Sequence, residues 1–201
     1  MTTTAYRTLP LVLASGSPRR QELLRVVRVP FRVLASGYVE DNSNAKSPSA
    51  LVMQHARRKA ADVAQKVPHG VVVGADTLVY CGRKMYGKPA DMPEARRMLR
   101  ELQGRSHFVY TGLAVCDVDQ RQWVVDFART RVTMRPLTDG EIARYFELID
   151  PLDKAGAYAI QEAGALIIER IDGCYYNVIG FPMAKLDDML RRLGYTLFKG
   201  K

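Results

Sequence analysis

Ser15-Gly16-Ser17-Pro18-Arg19-Arg20 follows directly on the apolar stretch from Pro10 to Ala14. A glycine-containing turn that leads from a strand into a helix aims free backbone N–H groups and the positive dipole end at one point, which makes an anion site. Arg19 and Arg20 fall in the first turn, where cations oppose the dipole. A bound phosphate would remove that conflict; the alternative is that both arginines point to solvent. Asp76, in Gly74-Ala75-Asp76-Thr77, follows the three valines Val71 to Val73 at the expected end of a buried strand. A carboxylate there has to be hydrogen-bonded, paired or metal-bound, and strand ends suit metal-binding or proton-accepting aspartates. Against this stands a plain Asp-Thr turn.

Three weaker candidates come next. Lys88 projects from the loop Tyr86-Gly87-Lys88-Pro89, either to a phosphate or, as for most loop lysines, to water. Residues 55–60 form a basic run in which Lys59 shares the Ala56 side of a helix and could turn inward. The other reading of that run is a solvated face, or one that docks nucleic acid. Residues 153–161 are rich in glycine and alanine, which lets a backbone approach a ligand, and Gln161 could read a base edge because its amide both donates and accepts. A tight packing turn explains the same composition.

Several classes are excluded. GxxxxGK[ST], GxGxxG and GxSxG are all absent. Cys81, Cys116 and Cys174 are far apart and odd in number, against a disulfide framework or zinc site and in favour of a reducing compartment. His55, His69 and His107 are isolated, without the HxxH or HExxH spacing of a histidine-held metal. The apolar run Leu9 to Ala14 is too short for a membrane span and lacks a signal-peptide layout, so the expected location is cytoplasmic, with no membrane partner. A formal net charge of +9 attracts phosphate-bearing partners, nucleotide and nucleic acid alike.

Elements that would position these residues can be read in order. A strand over 10–14 leads into a helix capped by Ser17, with Leu23, Leu24 and Val27 on its apolar face, and a strand follows over 31–34. Residues 37–46 are polar. Ser47-Pro48 opens a helix to about Lys66, and the valines at 71–73 begin a strand that continues through Tyr80. A helix spans Pro93 to Leu102, stopped by Gly104. Long β runs over 107–117 and 122–134 turn at 117–120. Thr138 and Glu141 form a capping box for a helix to about Leu148. Strands are expected at 165–168 and 176–179, with a last helix from Pro182 to Gly194. The fold class is α/β with a mixed sheet, since hairpin-like runs interrupt any strict βαβ alternation. All 201 residues fit one domain, a single unit or two lobes sharing a core, and 47% hydrophobic residues suffice for that core.

In this order the segments resemble the Maf family over residues 10 to 193. Leu13 to Leu24 is similar to its opening signature. Gly-Ala-Asp-Thr at 74–77, Gly-Lys-Pro at 87–89, Asp-Lys-Ala-Gly-Ala-Tyr at 153–158 and Asn177 to Pro182 resemble the motifs that follow. The resemblance implies a two-lobed α/β fold around a central cleft, similar to inosine triphosphate pyrophosphatases, and a homodimer. It implies hydrolysis of a nucleoside triphosphate to monophosphate and pyrophosphate with a divalent metal cation, Mg²⁺ first and Mn²⁺ or Co²⁺ as alternatives. Asp76 is implied as catalytic proton acceptor or metal-side carboxylate. Arg19, Thr77 and Gln161 are implied as specificity residues, Ser15, Arg19, Lys59 and Lys88 as phosphate-binding residues, and Glu40 with Asp76 as metal ligands.

Gly-Ala-Asp76-Thr77 and Ala-Tyr-Ala-Ile-Gln161 resemble the dTTP/UTP branch rather than the 7-methyl-GTP branch, which remains the alternative within the family. An alternative of another class is a nucleic-acid-binding regulator of cell division or septum formation. Nucleic acid is not the favoured partner, because no helix-turn-helix, RNA-recognition aromatic signature or zinc motif is present. The chain departs from the family pattern in three places, the first being the acidic pair after the second strand, present only as Glu40-Asp41, of which Glu40 is favoured as the metal ligand. Glu162 follows Gln161 where the family has glycine, which adds a carboxylate beside the base pocket, and Phe181 replaces leucine in Gly180-Phe181-Pro182.

Overall fold

A computed structural model describes residues 6–8, 10–41 and 47–198. Leu9 and residues 42–46 of the polar segment lie outside the described residues. The elements run β1 (Leu11–Leu13), α1 (Pro18–Val26), β2 (Phe31–Val33), α2 (Pro48–Ala64), β3 (Val71–Cys81), β4 (Lys84–Tyr86) and α3 (Met92–Leu102). Then come β5 (Ser106–Asp117), β6 (Gln122–Met134), α4 (Asp139–Leu148), β7 (Ile168–Asp172), α5 (Tyr175–Ile179) and α6 (Met183–Arg191). Among the described residues no helix is long and apolar enough to cross a membrane.

The sheet is mixed, as expected. Its order is β2-β1-β3-β5-β6-β7, with β4 also paired to β3. β2, β1 and the first part of β3 run parallel, and the remaining pairs are antiparallel. The valines of β3 are buried on both faces, the usual state of parallel strands covered on two sides. β1 pairs with β3 through Val71–Val73, and β4 pairs with the same strand through Val79–Cys81. Residues 74–78 therefore face a gap in that sheet edge, at the carboxyl ends of β1 and β2. Open α/β sheets commonly bind ligands at such a place.

Helix α2 covers one face. It rests directly on backbone, since a Cβ on Gly74 would lie 2.2 Å from the Ala56 carbonyl oxygen and one on Gly112 2.3 Å from that of Val52. The other face carries two apolar clusters. Leu13, Leu24, Val73, Phe181 and Leu190 belong to one, and Val79, Leu99, Leu102, Val109 and Ile142 to the other. Thr77 lies between Ala75 of the first and Val79 of the second, where a cleft opens.

Cap signals largely hold. The Ser47 hydroxyl accepts from the Ala50 N–H, and Thr138 with Glu141 completes a capping box. Four expectations are corrected. Ser17 does not cap α1; its N–H instead donates to the Ser15 hydroxyl at 3.3 Å. Val27 is exposed just past the end of α1. Residues 162–166 form a 3₁₀ turn, so the strand there starts only at Ile168. The expected strand at 176–179 is helix α5, closed by Gly180 at φ +101°. That helical turn carries the buried Asn177 amide to the Val109 carbonyl and the Thr130 hydroxyl, each at 3.0 Å, bonds that would otherwise be lost. The three-residue strand β4 was not expected.

Candidate active site

The cleft has a volume of about 680 Å³, suited to a nucleotide-sized ligand. Every candidate from the sequence lines it: Ser15, Arg19, Glu40, Lys59, Asp76, Thr77, Lys88 and Gln161. They come from separate places in the fold. Ser15 and Arg19 stand where β1 turns into α1, Lys59 on α2, Asp76 and Thr77 in the stretch of β3 that pairs with β5 on one side and faces the gap on the other, and Lys88 on the loop after β4. Gln161 belongs to the opposite wall, at the start of the 3₁₀ turn.

Consecutive strand residues face opposite ways. Asp76 points to the α2 side, where Gly74 and Gly112 (the direct partner of Asp76) let the helix sink onto the sheet. Lys59 therefore turns inward. Its ammonium lies 2.7 Å from Asp76 Oδ1 and 2.5 Å from Glu40 Oε1. Asp76 is 7% exposed. Burial raises its carboxyl above the ordinary range against the pull of the Lys59 charge, with the neighbouring Glu40 charge adding to the rise. Burial also pushes Glu40 up, but the hydrogen bond and charge of Lys59 outweigh it and hold Glu40 below its usual range.

The two arginines diverge. Arg19 reaches across the cleft to Asp153, with Nη1 2.7 Å from Oδ2 and Nη2 donating to the carbonyl at 3.0 Å. Asp153 also pairs with Lys154 at 2.8 Å. Arg20 is buried in the floor. It donates to the Gly180 and Ala75 carbonyls and to the Ser15 and Thr77 hydroxyls at 2.9–3.2 Å. Burial lowers its pKa to about 10, partly offset by Asp76, so it stays charged at neutral pH. The sequence offered both arginines the same two readings, a bound phosphate or solvent, and Arg20 instead turns inward onto backbone and hydroxyls; nothing in the motif distinguishes it from its neighbour. Thr77 spends its hydroxyl on Arg20 and Thr111 and packs against Gly180, whose added Cβ would lie 2.9 Å away. Lys88 is exposed on the rim, and its charge reaches Glu40.

The cleft therefore joins a cationic cradle and a helix N-terminus to a pair of carboxylates that already hold a cation between them. His55, set aside by its sequence spacing, is the third donor in this corner. Glu40, His55 and Asp76 each offer one ligand atom, all within 4.8 Å of one another. Two carboxylates and an imidazole suit a divalent ion, so the residues fit the cation that the family resemblance implies.

Fold and cleft together define an α/β protein with a cleft lined by Arg19, Lys59 and Lys88 at a break in one edge of its sheet. The chain belongs to the Maf family, whose profile, described as Maf-like protein, matches residues 10–193. A dTTP/UTP pyrophosphatase of Gloeobacter violaceus is 46% identical over 95% of this chain and 100% of that protein. One of Caldicellulosiruptor bescii is 44% identical over 95% of this chain and 98% of that protein. Among solved structures, the Ham1 protein of Staphylococcus aureus overlaps 62% of this chain and 71% of that one, at 12% identity and a TM-score of 0.45. A dITP/XTP pyrophosphatase of Mycobacterium abscessus overlaps 64% and 76%, at 13% identity and a TM-score of 0.39.

Proposed function

We propose that this chain is a hydrolase that cleaves dTTP and UTP between the α and β phosphates, releasing the monophosphate and pyrophosphate. The observation that carries this reading is Asp76, buried in the cleft, facing Lys59 and Glu40 and flanked by the arginine cradle. It is joined by extensive identity to relatives that carry that activity in their names. A triphosphate repels an attacking hydroxide, so the work of the site is charge neutralisation and proton removal. Burial makes the Asp76 carboxylate a better proton acceptor than an exposed aspartate. Arg19, Lys59 and Lys88, with the Ser15 turn, hold the phosphates and the departing pyrophosphate. A divalent cation held by Glu40 and Asp76, Mg²⁺ or Mn²⁺ or Co²⁺, would neutralise phosphate oxygens and acidify a bound water.

Thr77 and Gln161 set the preference for pyrimidines, Gln161 through its amide and Thr77 through the wall it shares with Gly180. Assembly as a homodimer and a cytoplasmic setting belong to the same proposal. The second rests on three free thiols, Cys81, Cys116 and Cys174. Light scattering on the purified protein tests the dimer.

The test of function is pyrophosphate release from a panel of dTTP, UTP, CTP, 7-methyl-GTP, dGTP and ATP. Release from dTTP and UTP first, with Asp76→Asn folded but slower by roughly 10³-fold or more, is the expected result. An active Asp76→Asn protein would remove Asp76 from its role, and a preference for 7-methyl-GTP would overturn the reading of Thr77 and Gln161.

A further inference from the structure

His55 is a buried histidine, 1% exposed, on the helix that also carries Lys59. The two residues are four apart, so they occupy one face of α2 a turn from each other. Gly74 and Gly112 bring that face onto the sheet at Asp76. The Tyr38 hydroxyl hydrogen-bonds His55 Nδ1 at 3.0 Å, and the two rings contact at 5.7 Å between centroids, so the imidazole has a fixed orientation. Its ligand atom and those of Glu40 and Asp76 fall within 4.8 Å of one another. That spread is close to the ~4 Å separating opposite ligands of a small six-coordinate divalent ion. Independently, Lys59 shows that the two carboxylates converge on a positive charge, at 2.5 and 2.7 Å.

We propose that His55 is a third protein ligand of the metal site formed with Glu40 and Asp76, and that it turns this site toward Co²⁺ and Mn²⁺ and away from Mg²⁺. The inference rests on the metal-dependent reading above and deepens it. An all-oxygen site suits Mg²⁺, whereas an imidazole nitrogen favours first-row transition ions, with Co²⁺ above Mn²⁺. A metal-binding imidazole usually donates its other ring N–H to an oxygen outside the ligand set, and the Tyr38 hydroxyl stands at His55 Nδ1 to accept that bond while Nε2 is left for the metal. Neither His69, exposed and paired with Asp119, nor His107, buried against Tyr158, belongs to this cluster.

The experiment is pulsed electron paramagnetic resonance on the substrate-free protein loaded with Mn²⁺. The expected spectrum shows nitrogen modulation that changes from the ¹⁴N to the ¹⁵N pattern when only histidine is ¹⁵N-labelled, and that disappears in Asp76→Asn. In His55→Leu, titration calorimetry should show Co²⁺ bound roughly tenfold or more weakly, with Mg²⁺ affinity nearly unchanged. Mn²⁺ bound at Asp76 without histidine modulation, unchanged Co²⁺ affinity in His55→Leu, or no Mn²⁺ binding at all would each overturn the proposal. If His55→Leu does not fold, the labelled wild-type spectrum decides alone. Pyrophosphate release measured alongside keeps the two readings apart. Turnover without the nitrogen signal sinks His55 as a ligand and leaves the function standing. The nitrogen signal without turnover of any nucleotide supports the ligand and sinks the function.

Discussion

Arg19 and Arg20 are neighbours of one residue type, and the helix rotates them about 100° apart. One then spans the cleft to Asp153 and the other is buried in its floor. Among the described residues Arg20 donates four hydrogen bonds, none to a carboxylate, so dipoles satisfy its guanidinium directly while the charges of Asp76 and Glu40 act on it through space. The sequence pattern placed both residues beside the anion site but held no sign of which would turn inward, because that depends on where α1 docks. Glu162 gives a sharper case. It sits at φ +55°, in left-handed backbone that glycine adopts freely and other residues enter at a cost of roughly 1–2 kcal/mol. The family pattern has glycine there. Glu162→Gly should relieve the strain and, after the extra freedom of the unfolded chain is subtracted, stabilise by about 1 kcal/mol, raising the thermal midpoint by about 2–4 °C. Glu162→Ala should gain little, because it keeps the Cβ. Equal midpoints for the Glu162→Gly and Glu162→Ala proteins would show that the backbone is unstrained.

At the scale of elements, the site depends on how closely α2 lies on the sheet. Ala56 and Ala60 are fully buried, and Gly74 and Gly112 meet helix backbone. Backbone cannot rotate aside as a side chain can, so Gly112→Ala must lift the helix. The expected cost is about 3 kcal/mol, at the upper end for overpacking, or about 6–12 °C in thermal midpoint. Turnover should fall as well, because the lift carries Lys59 away from Asp76. A Gly112→Ala protein that melts and turns over like wild type would refute this account of the packing. The helices α2 and α4 were legible because local chemistry fixes their starts, at Ser47 and at Thr138 with Glu141. The segment 176–179 was not. Tyr176, Val178 and Ile179 have strand-like propensities, yet Asn177 finds its buried partners only from a helical turn. β4 has three residues and no alternation long enough to read. The motif residues of the cleft were all legible in type, whereas His55 was not, because its partners lie at positions 40 and 76 and spacing along the chain carries no trace of that meeting.

Across the whole molecule, the two clusters on the cleft face have to hold their relative positions for the walls to meet one ligand. One tie at the second cluster is the contact of His107 on β5 with Tyr158 in the cleft wall, at 2.7 Å between Nε2 and the phenol oxygen. His107 is 1% exposed, and its Nδ1 has no hydrogen-bond partner among the described residues. Burial lowers its pKa to about 4, from the 6.5 of a free side chain. Between those values the unfolded chain binds a proton that the folded chain refuses. Stability from the neutral ring is thus complete above pH 6.5 and is lost as pH falls toward 4, to a limit of about 3 kcal/mol. Acid also adds charge everywhere to a chain that already carries +9, so self-repulsion steepens any wild-type acid unfolding curve and cannot by itself identify the group. His107→Gln separates the two effects, because glutamine keeps a polar group near Tyr158 and does not titrate. In urea unfolding at pH 7 and pH 4.5, wild type should lose about 2 kcal/mol more than His107→Gln between the two conditions. Equal losses would mean that the ring takes up its proton without cost in the fold. The acid sensitivity would then belong to the general charge of the molecule rather than to the tie between β5 and the cleft wall.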